Sequence, residues 1–197
     1  MNVTLIDSPV ANTANIARAL RASGAHLHVT RDSTEIARAS KLVLPGVGSF
    51  VAAMQWLREQ HIDDAIREAV ARGAYLLGIC VGHQLLFDTS DEMESTRGLG
   101  LVRGAVQRFE GALPVPQIGW NRVSMRGPLF DGVADETSFY FVNSYAARNV
   151  ENEIAYADYN GRFTAAVQRE RVFGVQFHPE KSSTAGLRVL RNFIACT

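Results

Sequence analysis

The sequence predicts an α/β fold: a mostly parallel central sheet with helices on both faces and antiparallel strands added at its side. Three observations predict it. The first half alternates short apolar runs with longer amphipathic ones, the βαβα order of a parallel sheet buried between helical layers. From Leu101 to Val172 the runs become shorter and more β-prone, with frequent turns. The length, 197 residues, suits a single domain spanning 1–197 whose core needs no staples, since a chain of this size buries roughly 70% of its unfolded surface.

Taken in order, Val3 to Ile6 reads as a buried strand. A helix follows with Ile16 and Leu20 on one face and Asn12 or Thr13 as its cap. His26 to Thr30 is the second strand, and a short helical piece around Glu35 to Arg38 leads into the third, Lys41 to Pro45. One or two helices fill Ser49 to Arg72. Tyr75 to Ile79 is the fourth strand, and the run after Cys80 reads as helical. In the middle, VRGAVQRF, NRVSM, SFYFV, AYADYN and FTAAVQ read as mostly antiparallel strands beside the same sheet. Thr184 to Ile194 returns to helical spacing through Leu187, Leu190 and Ile194. No internal repeat, low-complexity stretch or linker interrupts this order.

Composition excludes several classes of function. Formal net charge is zero and the arginines are scattered, so neither a nucleic-acid nor a membrane surface is expected. No apolar run approaches the roughly 20 residues that span a bilayer, and the N-terminal stretch lacks the basic and apolar regions of a signal peptide. The two cysteines, Cys80 and Cys196, make no disulfide framework, and a reduced, cytoplasmic setting is expected. Cys196, beside the last residue, reads as incidental.

Cys80 sits in Gly78-Ile79-Cys80-Val81-Gly82, where a strand meets the run that follows it. A nucleophile at the end of a parallel strand must be lifted out of the sheet by a tight turn that crowds the backbone. Glycines two before and two after it relieve that crowding, the logic of a nucleophile elbow. The following helix start turns N–H groups and a positive dipole end toward the sulfur, which favours thiolate. The Val81 N–H is then placed to receive a developing oxyanion. By itself the pentad fits a buried cysteine at a tight turn equally well.

A cysteine nucleophile needs a base, and the chain has five histidines. His26 and His28 share one face of a strand without a further ligand cluster, so no metal is expected. His61 reads as a surface helix position, and His83 as packing in the turn after Cys80. His178 ends an apolar strand in FGVQFHPEKS, Phe173 to Ser182. Pro179 pushes it into an extended conformation, in which Glu180 lies on the same side and can hold the ring. That is the orienting part of a nucleophile–base–acid triad. In LPGVGSF, Leu44 to Phe50, two close glycines after the third strand allow unusual backbone angles and close approach to a ligand. The loop lacks the lysine and the full glycine pattern of a phosphate cradle. It reads instead as a substrate loop beside Cys80, at the strand ends where open α/β sheets bind ligands.

A cysteine elbow, a downstream His-x-Glu and a Pro-Gly loop together resemble the class I (triad) glutamine amidotransferases. GICVGHQ, which contains Gln84, and GVQFHPE are specific to them. Within that family the full length resembles the glutaminase subunits of imidazole glycerol phosphate synthase, through LPGVGSF, QIGWNRV (Gln117 to Val123), YFVNSY (Tyr140 to Tyr145) and FGVQFHPEKS. The resemblance implies a Cys80–His178–Glu180 triad that hydrolyses L-glutamine through a thioester, without a cofactor. It implies that Gln84 contacts the glutamine, and that backbone groups of Gly46, Val47, Gly48, Ser144 and Tyr145 complete the pocket and oxyanion region. It further implies a (β/α)8-barrel cyclase partner that receives ammonia through a channel, with Trp120, Asn121 and Lys181 near the interface. For Trp120, an aromatic after glycine in a turn is independently a plausible interface anchor.

Three positions depart from the family pattern. Asn143 stands where histidine is usual, His83 where methionine is common in this subunit, and DSPVAN replaces a more glycine-rich N-terminal loop. The rival readings are an amidotransferase subunit of another ammonia-using synthase, such as anthranilate synthase, a stand-alone thiol hydrolase or isomerase, and a non-catalytic subunit.

Overall fold

The computed structural model describes residues 1–9, 11–93 and 95–197. In chain order the elements are β1 (Asn2–Ile6), α1 (Thr13–Ala22), β2 (His26–Thr30), α2 (Ser33–Arg38), β3 (Lys41–Gly46), α3 (Phe50–Glu59), α4 (Ile62–Ala71), β4 (Tyr75–Cys80) and α5 (Val81–Gln84). There follow β5 (Thr89–Ser90), β6 (Thr96–Arg97), β7 (Ala105–Arg108), β8 (Gln117–Met125), β9 (Thr137–Asn143), β10 (Tyr145–Ala147), β11 (Glu153–Asp158), β12 (Arg162–Arg169), β13 (Val172–Val175) and α6 (Ser183–Ala195).

A nine-stranded sheet has the order β2-β1-β3-β4-β13-β12-β11-β8-β9. Its left part, β2-β1-β3-β4-β13, is parallel, and the strands to its right pair antiparallel. Every residue of β3 is buried, as expected of a strand covered on both faces. Right-handed crossovers explain the cover. The step from β1 to β2 runs leftward, whereas β2 to β3 and β3 to β4 run rightward, so their helices fall on opposite sides. α1 packs with α6, while α2 and α3 pack with α4. The direction of winding reverses between β1 and β3, the kind of switch point beside which open α/β sheets bind ligands at the carboxyl ends of the strands.

Local chemistry sets the helix starts. The Asn12 side chain accepts from the Asn15 N–H, Asp32 from Thr34 and Glu35, and Ser49 from Ala52. One helix end is closed from a distance. Lys41, the buried first residue of β3, donates to the carbonyls of Ile194 at 2.6 Å, Cys196 at 2.7 Å and Phe193 at 3.2 Å. A cation thus satisfies the last turn of α6 and meets its negative dipole end. Burial lowers the Lys41 pKa.

Several sequence expectations are corrected. The run after Cys80 is one helical turn only. The carbonyls of Leu85, Leu86 and Phe87 accept N–H groups of Leu99, Leu101, Val102 and Gly100 instead of continuing a helical ladder. VRGAVQRF does not join the main sheet. Its strand, β7, lies in a second, four-stranded sheet of order β10-β7-β5-β6. The segment leading to His178 leaves the strand after Val175, and Pro179–Lys181 form a 3₁₀ turn. Trp120 is not in a turn but in the middle of β8, opposite Tyr140 of β9.

Candidate active site

Three glycines explain how Cys80 leaves the sheet. A Cβ on Gly82 would lie 1.9 Å from the Leu44 carbonyl oxygen, and one on Gly78 would lie 2.4 Å from that of Gly82. One on Gly46 would lie 2.9 Å from the Gly82 nitrogen. The elbow is therefore wedged against the end of β3 so tightly that only hydrogen fits at these positions. Cys80 itself holds φ 55° and ψ −111°. A non-glycine residue occupies such a conformation only where its surroundings enforce it, as they do at active sites. Cys80 is buried and free of any disulfide.

His178 is delivered by a different device from the extended segment expected. Its own backbone is extended, and the 3₁₀ turn that follows brings the Glu180 carboxylate back to the ring. His178 Nδ1 and Glu180 Oε1 are 2.9 Å apart, with both side chains almost fully buried. The turn is tied to β9: the His178 N–H donates to the Tyr140 carbonyl. The Ser182 hydroxyl donates to the His178 carbonyl at 2.7 Å and accepts from the Tyr140 N–H at 3.0 Å. Beneath it, Phe177 stacks on Phe139 with ring centroids 4.1 Å apart. Burial disfavours the charged ring, but hydrogen bonds to Cys80 and Glu180 outweigh it, and the His178 pKa is pushed up to about 10. The ring accordingly holds a proton at neutral pH, facing sulfur on one side and carboxylate on the other.

A cleft of about 490 Å3 opens at the carboxyl ends of β3, β4 and β13. Cys80, Val81, Gln84 and His178 line it, with Val47 and Gly48 on the β3 side and Ser144, Tyr145 and Lys181 on the β9 side. Other expected site residues lie apart from it. Gly46 sits under the elbow, and Glu180 stands behind His178. Trp120 and Asn121 are on β8, where Asn121 donates to the Asp158 carbonyl at 2.9 Å. Trp120 is 55% exposed and Ile118, two residues before it, 64% exposed. Their β9 neighbours are Tyr140 and Val142, and Val142 lines the cleft. An apolar stripe thus runs from the outer face of the sheet to the cleft mouth. Among the described residues no group of three or more His, Cys, Asp or Glu could hold a metal ion.

Sequence reasoning missed several neighbours. Glu92 and Asn12 line the cleft, and Glu92 Oε2 accepts the Phe50 N–H at 2.7 Å. Asn143 donates to the Tyr145 carbonyl, and its own Oδ1 is buried without a partner among the described residues. Gln176, fully buried, accepts from Gln84 at 3.0 Å and lies 3.9 Å from the Cys80 sulfur. A signal for Gln176 was present: it stands two residues before His178. Glu92 and Asn12 carried none, because long-range folding alone brings them to the cleft.

A buried cysteine on a strained elbow, an imidazole beside it and a carboxylate behind the ring have the arrangement of a candidate nucleophile, acid–base group and orienting group. Residues 4–196 match the family model of class-I glutamine amidotransferases, and the chain belongs to that family. It is 44% identical to the imidazole glycerol phosphate synthase subunit HisH of Moorella thermoacetica over 195 residues, 97% of this chain and 93% of that protein. Its identity to the protein of the same name from Geobacillus thermodenitrificans is 45% over 202 residues, 98% and 94% of the two chains. Among solved structures, a glutamine amidotransferase superposes with a TM-score of 0.78 at 20% identity, covering 97% of this chain and 96% of that one. PurLQS of Thermotoga maritima superposes with 0.75 at 17%, covering 98% and 97%. These two likenesses bear on the fold.

Proposed function

We infer that this chain is the glutaminase subunit of an imidazole glycerol phosphate synthase and acts in histidine biosynthesis. It is a glutamine amidotransferase, and its relatives of 44% and 45% identity over nearly their whole length bear that subunit's name. The observation that carries the mechanism is the buried His178–Glu180 pair at 2.9 Å beside the Cys80 elbow. All 197 residues form one amidotransferase domain in this reading.

Glutamine lies in the cleft with its side-chain amide over Cys80. The Glu92 carboxylate offers a counter-charge for its ammonium group, and Gln84, Ser144 and Tyr145 supply polar contacts. Cys80 Sγ, its proton held by His178, attacks the amide carbon as the thiolate. The oxyanion develops toward the Val81 N–H and the backbone of Val47 and Gly48. His178 gives its proton to the nitrogen, the C–N bond breaks, ammonia leaves and a glutamyl thioester remains. A water then attacks the thioester carbon while His178 takes its proton. The C–S bond breaks, and glutamate departs. Glu180 keeps the ring oriented and stabilises its charged form throughout.

The partner is the cyclase subunit, a (β/α)8 barrel, which receives the ammonia through a channel. The stripe of Ile118, Trp120 and Tyr140 with Lys181 forms the docking face beside the cleft mouth, while Asn121, next to Trp120 in β8, points to the other face of the sheet. Neither nucleic acid nor a membrane is a partner in this reading. Among the described residues no helix is long and apolar enough to cross a membrane. A free thiol as nucleophile suits the reducing cytoplasm.

Glutamate release from glutamine, measured for the chain alone and then with a histidine-pathway cyclase and its nucleotide ligand, tests this. A large rise in the complex is expected. Substantial activity alone, unmoved by the cyclase, would leave the glutaminase and refute the pathway. Cys80→Ala is expected to abolish glutamine-dependent synthesis while free ammonia still supports the cyclase.

A further inference from the structure

We propose that Gln176 is a positioning residue for the glutaminase reaction, with two separable tasks: its carbonyl holds Gln84 as a hydrogen-bond acceptor for the substrate, and its amide N–H faces the Cys80 sulfur. The inference rests on the glutaminase reading above and adds a residue that the triad does not include.

The orientation of these side-chain amides follows from their partners. Gln84 Nε2 stands 2.9 Å from the Tyr145 carbonyl oxygen, which can only accept. The Gln84 atom placed there must therefore be nitrogen. The same nitrogen stands 3.0 Å from the Gln176 side chain, so the Gln176 atom facing it must be the oxygen. The other end of the Gln176 amide is then its NH2, which lies 3.9 Å from Cys80 Sγ, within reach of a sulfur acceptor. A flip of Gln176 would set two NH2 groups against each other and turn a carbonyl toward sulfur.

Each orientation has a chemical consequence. Both N–H bonds of Gln84 are used, one by Tyr145 and one by Gln176. The carbonyl oxygen is the only polar atom Gln84 can still offer the cleft, so it binds an N–H of glutamine. At the other end, an N–H aimed at sulfur supports a developing thiolate as His178 holds the proton. Gln176 is fully buried, and its backbone N–H is held by the Ala165 carbonyl at 2.8 Å, so the side chain is presented from a rigid strand end.

The test is steady-state glutaminase kinetics of the complex with the cyclase, for wild type, Gln176→Glu and Gln176→Met. Gln176→Glu keeps an acceptor for Gln84 and removes the donor facing sulfur. It is expected to hold KM within about threefold and to lower kcat about tenfold or more, increasingly as pH rises and the carboxyl ionises. Gln176→Met, of similar shape, removes both contacts and is expected to raise KM and lower kcat, each about tenfold. Ammonia-dependent synthesis by the complex and the urea-unfolding midpoint report folding. Should Gln176→Met fail to fold, the KM–kcat split of Gln176→Glu decides alone. Equal effects on KM and kcat in both variants, or no change beyond threefold in either, would overturn the proposal. A wild-type complex that releases no glutamate would overturn the glutaminase reading first, and this one with it.

Discussion

His83 gives the sharpest physical prediction. It lies directly after Gly82 of the elbow, fully buried, edge-on to Phe87 with ring centroids 5.1 Å apart. Neither ring nitrogen has a hydrogen-bond partner among the described residues. A Cβ on Gly174 would lie 2.3 Å from its Nδ1, so the ring is packed hard against β13. Burial pushes the His83 pKa down from 6.5 to about 3. The folded state therefore keeps the ring neutral in a range where the unfolded chain protonates it. Its contribution to stability is complete above pH 6.5 and is lost as pH falls toward 3. Between pH 7 and pH 5, protonation of the unfolded chain alone removes about 2 kcal/mol, at up to about 1.4 kcal/mol per pH unit. Replacing the group by an apolar side chain of similar size, His83→Met, removes that term. Urea-unfolding free energies of both proteins at pH 7 and pH 5 measure it, because all other titrations cancel in the double difference. The wild type is expected to lose about 2 kcal/mol more than the variant over that interval. Equal losses would refute the account of His83 as a buried neutral ring. At pH 7 the variant is expected to be at least as stable as wild type, since two unpartnered buried nitrogens are removed.

Other consequences are open to direct measurement. Lys41→Met leaves the last carbonyls of α6 without their cation and is expected to lower unfolding free energy by about 1–3 kcal/mol in urea titrations. An unchanged midpoint would mean that water replaces Lys41 without loss. Glu180→Gln removes the carboxylate that holds the His178 ring and is expected to lower glutaminase kcat at pH 7 by about 10²–10⁴. The His178 proton, held up to a pKa of about 10 in the wild type, should be released at lower pH in this variant, as read by NMR of the ring. Trp120→Ala should weaken binding of the cyclase by about 2 kcal/mol, roughly thirtyfold, in titration calorimetry. Alkylation of Cys80 in the isolated subunit should proceed at the wild-type rate.

Much of the site was legible before the fold because its chemistry is written in local patterns. Gly78 and Gly82 flank Cys80 at a spacing that only a tight strand-to-helix turn needs. Pro179 follows His178, and Glu180 is close enough in sequence to reach it by backbone geometry alone. The parallel half of the sheet was legible for a similar reason: each strand is a short apolar run, and each crossover helix carries its own periodicity and, at Asn12, its own cap.

What remained hidden depends on partners distant in the chain. The run after Cys80 has the composition of a helix, yet it stops after one turn because residues Leu99 to Val102 take its carbonyls. Whether VRGAVQRF joins the main sheet or a second one is decided by its pairing with Tyr145–Ala147, which composition does not encode. Gln176, Asn143 and Glu92 are ordinary polar residues in the sequence. Gln176 and Asn143 acquire partners only when β4, β9 and β13 converge and burial removes water, so that Gln176 meets Gln84 and Asn143 the Tyr145 carbonyl, while Glu92 reaches the cleft from the loop after β5. The residue types and their local spacing determined the class of fold and pointed to Cys80, His178 and Glu180 as the candidate triad. Long-range pairing and desolvation decided how the amides are oriented, which histidine is protonated and which is kept neutral, and where the cleft opens.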